Sequence, residues 1–121
     1  MAELLGERLL SWPGGMLVPF LVAALIKTLQ GSSLVAAITA AGMMQPLFAG
    51  PGFGAQNATA LAALAIGAGA MTISHVNDEY FWLVANGAGL SPPRALARFS
   101  AATLLQGFVA AAALLTLSVL V

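Results

Sequence analysis

Between Thr28 and Asn77 the chain carries no Asp, Glu, Lys or Arg at all. A water-soluble fold leaves most of its residues at least partly exposed, and roughly a quarter of its composition is charged. Here 60% of the residues are hydrophobic and 7% charged, with four basic residues, four acidic ones and a single histidine to cover the whole surface. That set cannot coat a soluble domain, so the solvent that fits this chain is lipid, and a soluble enzyme or a disordered chain does not fit. The net charge is zero and no basic run exists, which leaves nothing to neutralise a nucleic-acid backbone. Cysteine is absent, removing disulfides and thiolate chemistry.

Segment lengths divide the chain. Over residues 1–12, Leu4, Leu5, Leu9, Leu10 and Trp12 group apart from Glu3, Glu7 and Arg8, the pattern of a short helix on the membrane surface, closed by Pro13-Gly14-Gly15. Its two acids are at odds with the positive region of a signal peptide. The apolar stretches Met16–Leu29 and Leu34–Phe48 flank Gln30-Gly31-Ser32-Ser33. Each stretch reaches only about 21–23 Å as a helix, short of a ~30 Å hydrocarbon core. They predict a re-entrant helical hairpin over residues 16–48, its tip near 30–33 at membrane depth, where irregular backbone must be packed in protein or wetted. One span of 33 residues with a break, and two short helices with a surface turn, are the other readings. Gly50-Pro51-Gly52-Phe53-Gly54 predicts a loop.

Residues 58–85 make one span only if the polar cluster inside them lies within the membrane, which predicts a broken transmembrane helix. The last segment, residues 94–121, contains an uncharged run from Phe99 to Val121 that reaches about 34 Å, a full transmembrane helix. The fold class expected is therefore an all-α integral membrane protein in one membrane unit: re-entrant hairpin, broken helix and C-terminal transmembrane helix. Arg94 and Arg98 set the loop before the last helix on the cytoplasmic side, so that the hairpin enters from the outer face.

Ser74-His75-Val76-Asn77-Asp78-Glu79 is the one dense polar cluster. A charge at the bilayer centre costs at least about 2.5–3.5 kcal/mol, so two adjacent carboxylates need paired or solvated surroundings. Either the cluster is a break whose backbone and side chains meet a hydrophilic substrate and a proton, or it is a wet surface loop. With helical spacing, His75 and Asp78 would share a face, letting Asp78 orient the ring or share its proton, and Asp78 and Glu79 could titrate together. One histidine and no cysteine do not make a structural zinc site. Tyr80 and Trp82 read as interfacial belt residues, with site-lining aromatics as the other reading. Two interruptions of apolar segments, at 30–33 and 74–78, are the pattern from which secondary transporters build midplane sites.

The run from Lys27 to Gly42, KTLQGSSLVAAITAAG, resembles the RxAxGSATVAxxTAAG stretch of the gluconate permease (GntP) family. Gly67-Ala68-Gly69-Ala70, then Ser74-His75-Val76-Asn77-Asp78 and Phe81-Trp82-Leu83-Val84, resemble that family's GAGS and SHVNDxxFWLV motifs, in the same order. Lys27 stands where the family usually has Arg, Leu34 where it has Thr and Ala70 where it has Ser, while Glu79 adds a carboxylate.

The resemblance implies a proton symporter for gluconate or a related sugar acid, of the ion-transporter superfamily, multi-pass in the cell (inner) membrane. It implies no enzyme activity and no cofactor. By position, Gly31, Ser32 and Ser33 would form the hairpin tip, and Ser74, His75, Asn77 and Asp78 the broken-helix part of a site for substrate and proton. Such permeases are far longer, so the chain looks like their C-terminal portion, supplying one side of the site and needing the missing half or a homo-oligomer. The alternative from another class is a stand-alone small membrane protein acting by helix association, without transport.

Overall fold

The computed structural model describes Leu4, Arg8, Ser11, Trp12, residues 14–48 and residues 56–120. The surface helix expected over 1–12 falls almost wholly outside these residues, and the loop expected at 50–54 lies entirely outside them. All regular structure among them is helical: α1 Leu17–Gln30, α2 Ser33–Phe48, α3 Gln56–Ala70, α4 Glu79–Gly87 and α5 Pro92–Leu120.

Each boundary has a local cause. Gly31 ends α1 in the left-handed region (φ 89°), its N–H bonded to the Lys27 carbonyl, a conformation in which a side chain is strained. Ser32 then accepts the Val35 N–H on its hydroxyl and opens α2. Asp78 caps α4 by accepting the Tyr80 N–H at 3.0 Å. Ser91 precedes Pro92 and Pro93, so these prolines start α5 instead of lying in the loop before it; proline fits the first turn because its missing N–H would have no partner there. A π-helical turn, Leu96–Ser100, interrupts α5 near its start.

Among the described residues, only α5 is long and apolar enough to cross a bilayer; its 29 residues reach about 43 Å. The 14 residues of α1, the 16 of α2 and the 15 of α3 are apolar but shorter. The second interruption covers residues 71–78, beginning three residues before the expected Ser74. Gly67 and Gly69 weaken the last turn of α3, and Ile73 takes a positive φ of 50°.

α1, α2 and α3 pack on one another, and α3 and α1 also pack on α5. The buried stripes are narrow and small: Phe20, Ala23 and Lys27 on α1, Ala36, Ala40 and Met44 on α2, Ala62, Ala65, Ile66 and Ala70 on α3. A second patch joins Phe20 and Ala65 to Leu114 of α5, and a third packs Phe81 and Ala85 of α4 on Ala95. Gly69 makes the α1–α3 contact possible, since a Cβ there would strike the Phe20 carbonyl. The large apolar side chains point outward instead: Leu21, Leu25, Leu29, Ile38, Leu64, Leu105, Phe108 and Val109 are all exposed.

Two glycines on α3 should therefore respond oppositely. Gly69→Ala forces α1 and α3 apart and should cost about 1–3 kcal/mol. Gly67→Ala meets open space and should be neutral or stabilising by about 0.5–1 kcal/mol. Detergent-titrated unfolding of the purified chain, followed by tryptophan fluorescence, checks both; equal effects would contradict the close approach.

Candidate functional site

A helix that stops inside an apolar fold leaves its last carbonyls without partners. α1 stops at Gln30, and the second interruption supplies what its end lacks. The Thr28 carbonyl accepts from Asn77 Nδ2 at 2.9 Å and lies 3.0 Å from His75 Nε2; a carbonyl can only accept, so that ring nitrogen carries the proton. Gly31 sits directly against the Asn77 carbonyl, where a Cβ would collide with the backbone. The two interruptions are thus in contact with each other.

At their junction lies an ion pair. Lys27 projects from the last turn of α1, 2% exposed, and its Nζ donates to Asp78 Oδ2 at 2.6 Å and to the Gly31 carbonyl at 2.5 Å. Asp78, 4% exposed, also accepts from the Ser74 hydroxyl on Oδ2 and from the Tyr80 N–H on Oδ1. Burial of a charge is costly unless it is paired and hydrogen-bonded, and here both conditions are met.

The last helix completes the shell. Ser100, in the π turn of α5, donates from its hydroxyl to the Ser74 carbonyl at 2.5 Å. Thr103 Oγ1 accepts the Ser74 N–H at 3.0 Å and donates to the Ser100 carbonyl. The irregular backbone around Ser74 is thereby satisfied from outside its own segment. Trp82 Nε1 donates to the Val76 carbonyl at 2.8 Å. The indole therefore braces the second interruption.

Two openings meet at Asp78. One, of about 230 Å³, is lined by Lys27, Ser33, Met71, Ser74, Asp78, Tyr80, Phe99, Thr103 and Gln106. The other, of about 570 Å³, shares Ser33, Met71, Asp78 and Tyr80 with it and extends to Ser32, Leu34, Glu79 and Leu83. The lining of the first sets hydroxyls and an amide beside one cation and one anion, with Met71 and Phe99 as its apolar part. No group of three or more His, Cys, Asp or Glu that could hold a metal occurs among the described residues.

All seven residues singled out from the sequence lie at or beside this junction: Gly31, Ser32 and Ser33 on one side, Ser74, His75, Asn77 and Asp78 on the other. The pairing of His75 with Asp78 differs from expectation. Residues 75–78 form a turn, in which the Asp78 N–H donates to the His75 carbonyl, so the two side chains diverge to Thr28 and to Lys27. Glu79 is exposed at the start of α4, while Asp78 is enclosed. Sequence reasoning missed Lys27, Thr28, Ser100 and Thr103 as parts of the site. Lys27 was within reach of it: the one cation between Arg8 and Arg94 and the first acid after Glu7 are each other's obvious partners.

A family model described as GntP family permease matches residues 2–121. The chain is 46% identical over 70 residues to a gluconate permease of Pseudomonas aeruginosa, a stretch covering 57% of the chain and 15% of that protein. It is 41% identical over 68 residues to a high-affinity gluconate transporter of Escherichia coli, covering 56% and 15% respectively. To a gluconate permease of Bacillus subtilis it is 37% identical over 99 residues, covering 82% of the chain and 20% of that protein. The match thus spans no more than about a fifth of each of these relatives. No solved structure matches the chain.

The buried pair has a thermodynamic signature. Lys27→Met and Asp78→Asn should each destabilise the fold by about 3–5 kcal/mol, because each strands a buried group. The double variant should cost less than either single one, since it strands none. A double-mutant cycle by detergent-titrated unfolding measures this, and additive losses would mean that the pair is not coupled.

Proposed function

The chain belongs to the GntP family of permeases, and on that footing we propose that it forms the C-terminal part of a transporter for gluconate or a related sugar acid, coupled to protons, and lines one side of the substrate site. The observation that carries the reading is the junction of two chain interruptions around one enclosed ion pair, inside helices whose outer faces are apolar. Irregular backbone at membrane depth is tolerated where it is packed in protein or lines a wet cavity; that this junction is packed in protein and borders two openings supports the reading.

In this proposal residues 16–48 are a re-entrant hairpin with its tip at 30–33, residues 58–85 a broken transmembrane helix and residues 94–121 the final transmembrane helix. They belong to a multi-pass protein of the inner membrane whose loop before the last helix is cytoplasmic. Gly31, Ser32, Ser33, Ser74, His75, Asn77 and Asp78 form the part of the site that meets substrate and proton. Midplane sites of this kind draw on two related halves, so the opposite wall comes from the rest of a full-length carrier or from a second copy.

Two measurements test it. Ser33→Cys should react with small polar thiol reagents supplied from the outer face and resist bulky ones; rapid labelling from the cytoplasmic face in sealed vesicles would contradict the hairpin. In a full-length carrier containing this segment, Asp78→Asn should abolish gluconate accumulation driven by a pH gradient, while Glu79→Gln retains most of it. The reverse pattern would reassign the coupling carboxylate.

A further inference from the structure

Charge counting at the junction leads beyond the transport reading. Lys27 and Asp78 are neutral together and almost completely enclosed. The other three cations of the chain, Arg8, Arg94 and Arg98, are exposed, so Lys27 is the one buried positive charge among the described residues. The remaining titratable groups nearby are accounted for. Glu79 is exposed, His75 bonds the Thr28 carbonyl, and Tyr80 lines the opening and stacks at 6.0 Å on Phe99. Lys27 uses two of its three N–H groups, toward Gly31 and Asp78, which leaves one for a further acceptor.

A sugar-acid monoanion entering this opening would put two carboxylates beside one ammonium. An uncompensated charge in a dry site is far more costly than a protonated carboxyl group, so one of the two carboxylates must take a proton. Resting on the transport reading above, we infer that Lys27 is the carboxylate-binding residue of this site and is shared in time. It pairs with Asp78 when the site is empty and with the substrate's carboxylate when it is full, and the released Asp78 takes one proton from the solution that the site faces.

The exchange balances. Lys27 remains an ammonium throughout, one monoanion and one proton enter together, and the occupied site is as neutral as the empty one. The protonated carboxyl finds ready partners. The Ser74 hydroxyl, now a donor to Oδ2, can turn to accept the new O–H, and the Tyr80 N–H keeps Oδ1. When the substrate leaves on the other side, Lys27 returns to Asp78 and the proton is expelled. Lys27 thus links two events that a lysine serving only as an anchor for Asp78 would leave independent.

The test uses a full-length carrier containing this segment, reconstituted in proteoliposomes and assayed for exchange of labelled gluconate and for its dependence on pH. In Asp78→Asn, the gluconate exchange that remains should no longer respond to pH. Lys27→Met should lose at least about tenfold in exchange rate, the loss of a charged hydrogen bond to substrate. The double variant Lys27→Met/Asp78→Asn, which strands no charge and so keeps the fold, should be equally defective, whereas Lys27→Arg should retain exchange. Recovery of exchange in the double variant would reduce Lys27 to an anchor and overturn the inference. Persistence of pH dependence in Asp78→Asn, with its loss in His75→Gln, would move the proton to the imidazole and overturn it too. A wild-type carrier that exchanges no sugar acid would overturn the transport reading itself, before any variant is compared.

Discussion

The ion pair between Lys27 and Asp78 is the contact on which the rest of the arrangement depends. It ties the end of α1 to the start of α4 across fifty residues of chain, and it fixes how the two interruptions face each other. Each charge is enclosed, so removing either one would strand the other without its partner. The neighbouring bonds follow from that registration. The Thr28 carbonyl meets His75 and Asn77 one residue after Lys27 meets Asp78, so both sets of bonds join the same two segments.

Around this junction the distribution of residues is reversed from that of a soluble protein. The interior holds mostly alanine and glycine with a few large side chains, such as Phe20, Phe81 and Leu114, and a handful of polar groups, while most of the leucines face out. In lipid no hydrophobic force draws helices together, so contact must come from close approach of small residues and from hydrogen bonds between elements. Gly69 on Phe20 and Gly107 on Thr72 supply the first, and the Ser74–Thr103 and Ser74–Ser100 bonds supply the second. A permease has reason to be built this way, because a polar path through a bilayer needs an interior that binds water and solute without losing its shape.

How far the sequence was legible varied with the kind of signal. Helix extents came from apolar runs and turn residues, so α1, α2 and the long final helix were readable to within a few residues. The candidate site was readable as two polar interruptions, and both lie at the junction. What could not be read was which group meets which. The His75–Asp78 pairing assumed helical spacing through residues that form a turn, and the true partners, Thr28 and Lys27, lie 47 and 51 residues away in the chain. Ser100 and Thr103 gave no sign of their role, since hydroxyls in an apolar helix commonly bond their own backbone, as Thr116 does here.

The π turn at Leu96–Ser100 sets the angular phase of the last helix. At 3.6 residues per turn, one added residue rotates everything beyond it by about 100°. Ahead of the turn, Ala95 faces the Phe81 and Ala85 patch of α4; beyond it, Thr103, Gly107 and Leu114 face the interruption, α1 and α3. One continuous helix thereby serves two neighbours that a regular helix of the same sequence would meet out of phase. A single-residue deletion within residues 96–100 would swing Thr103 and Leu114 away from these partners without removing either, so the length of this turn matters apart from the identity of its residues.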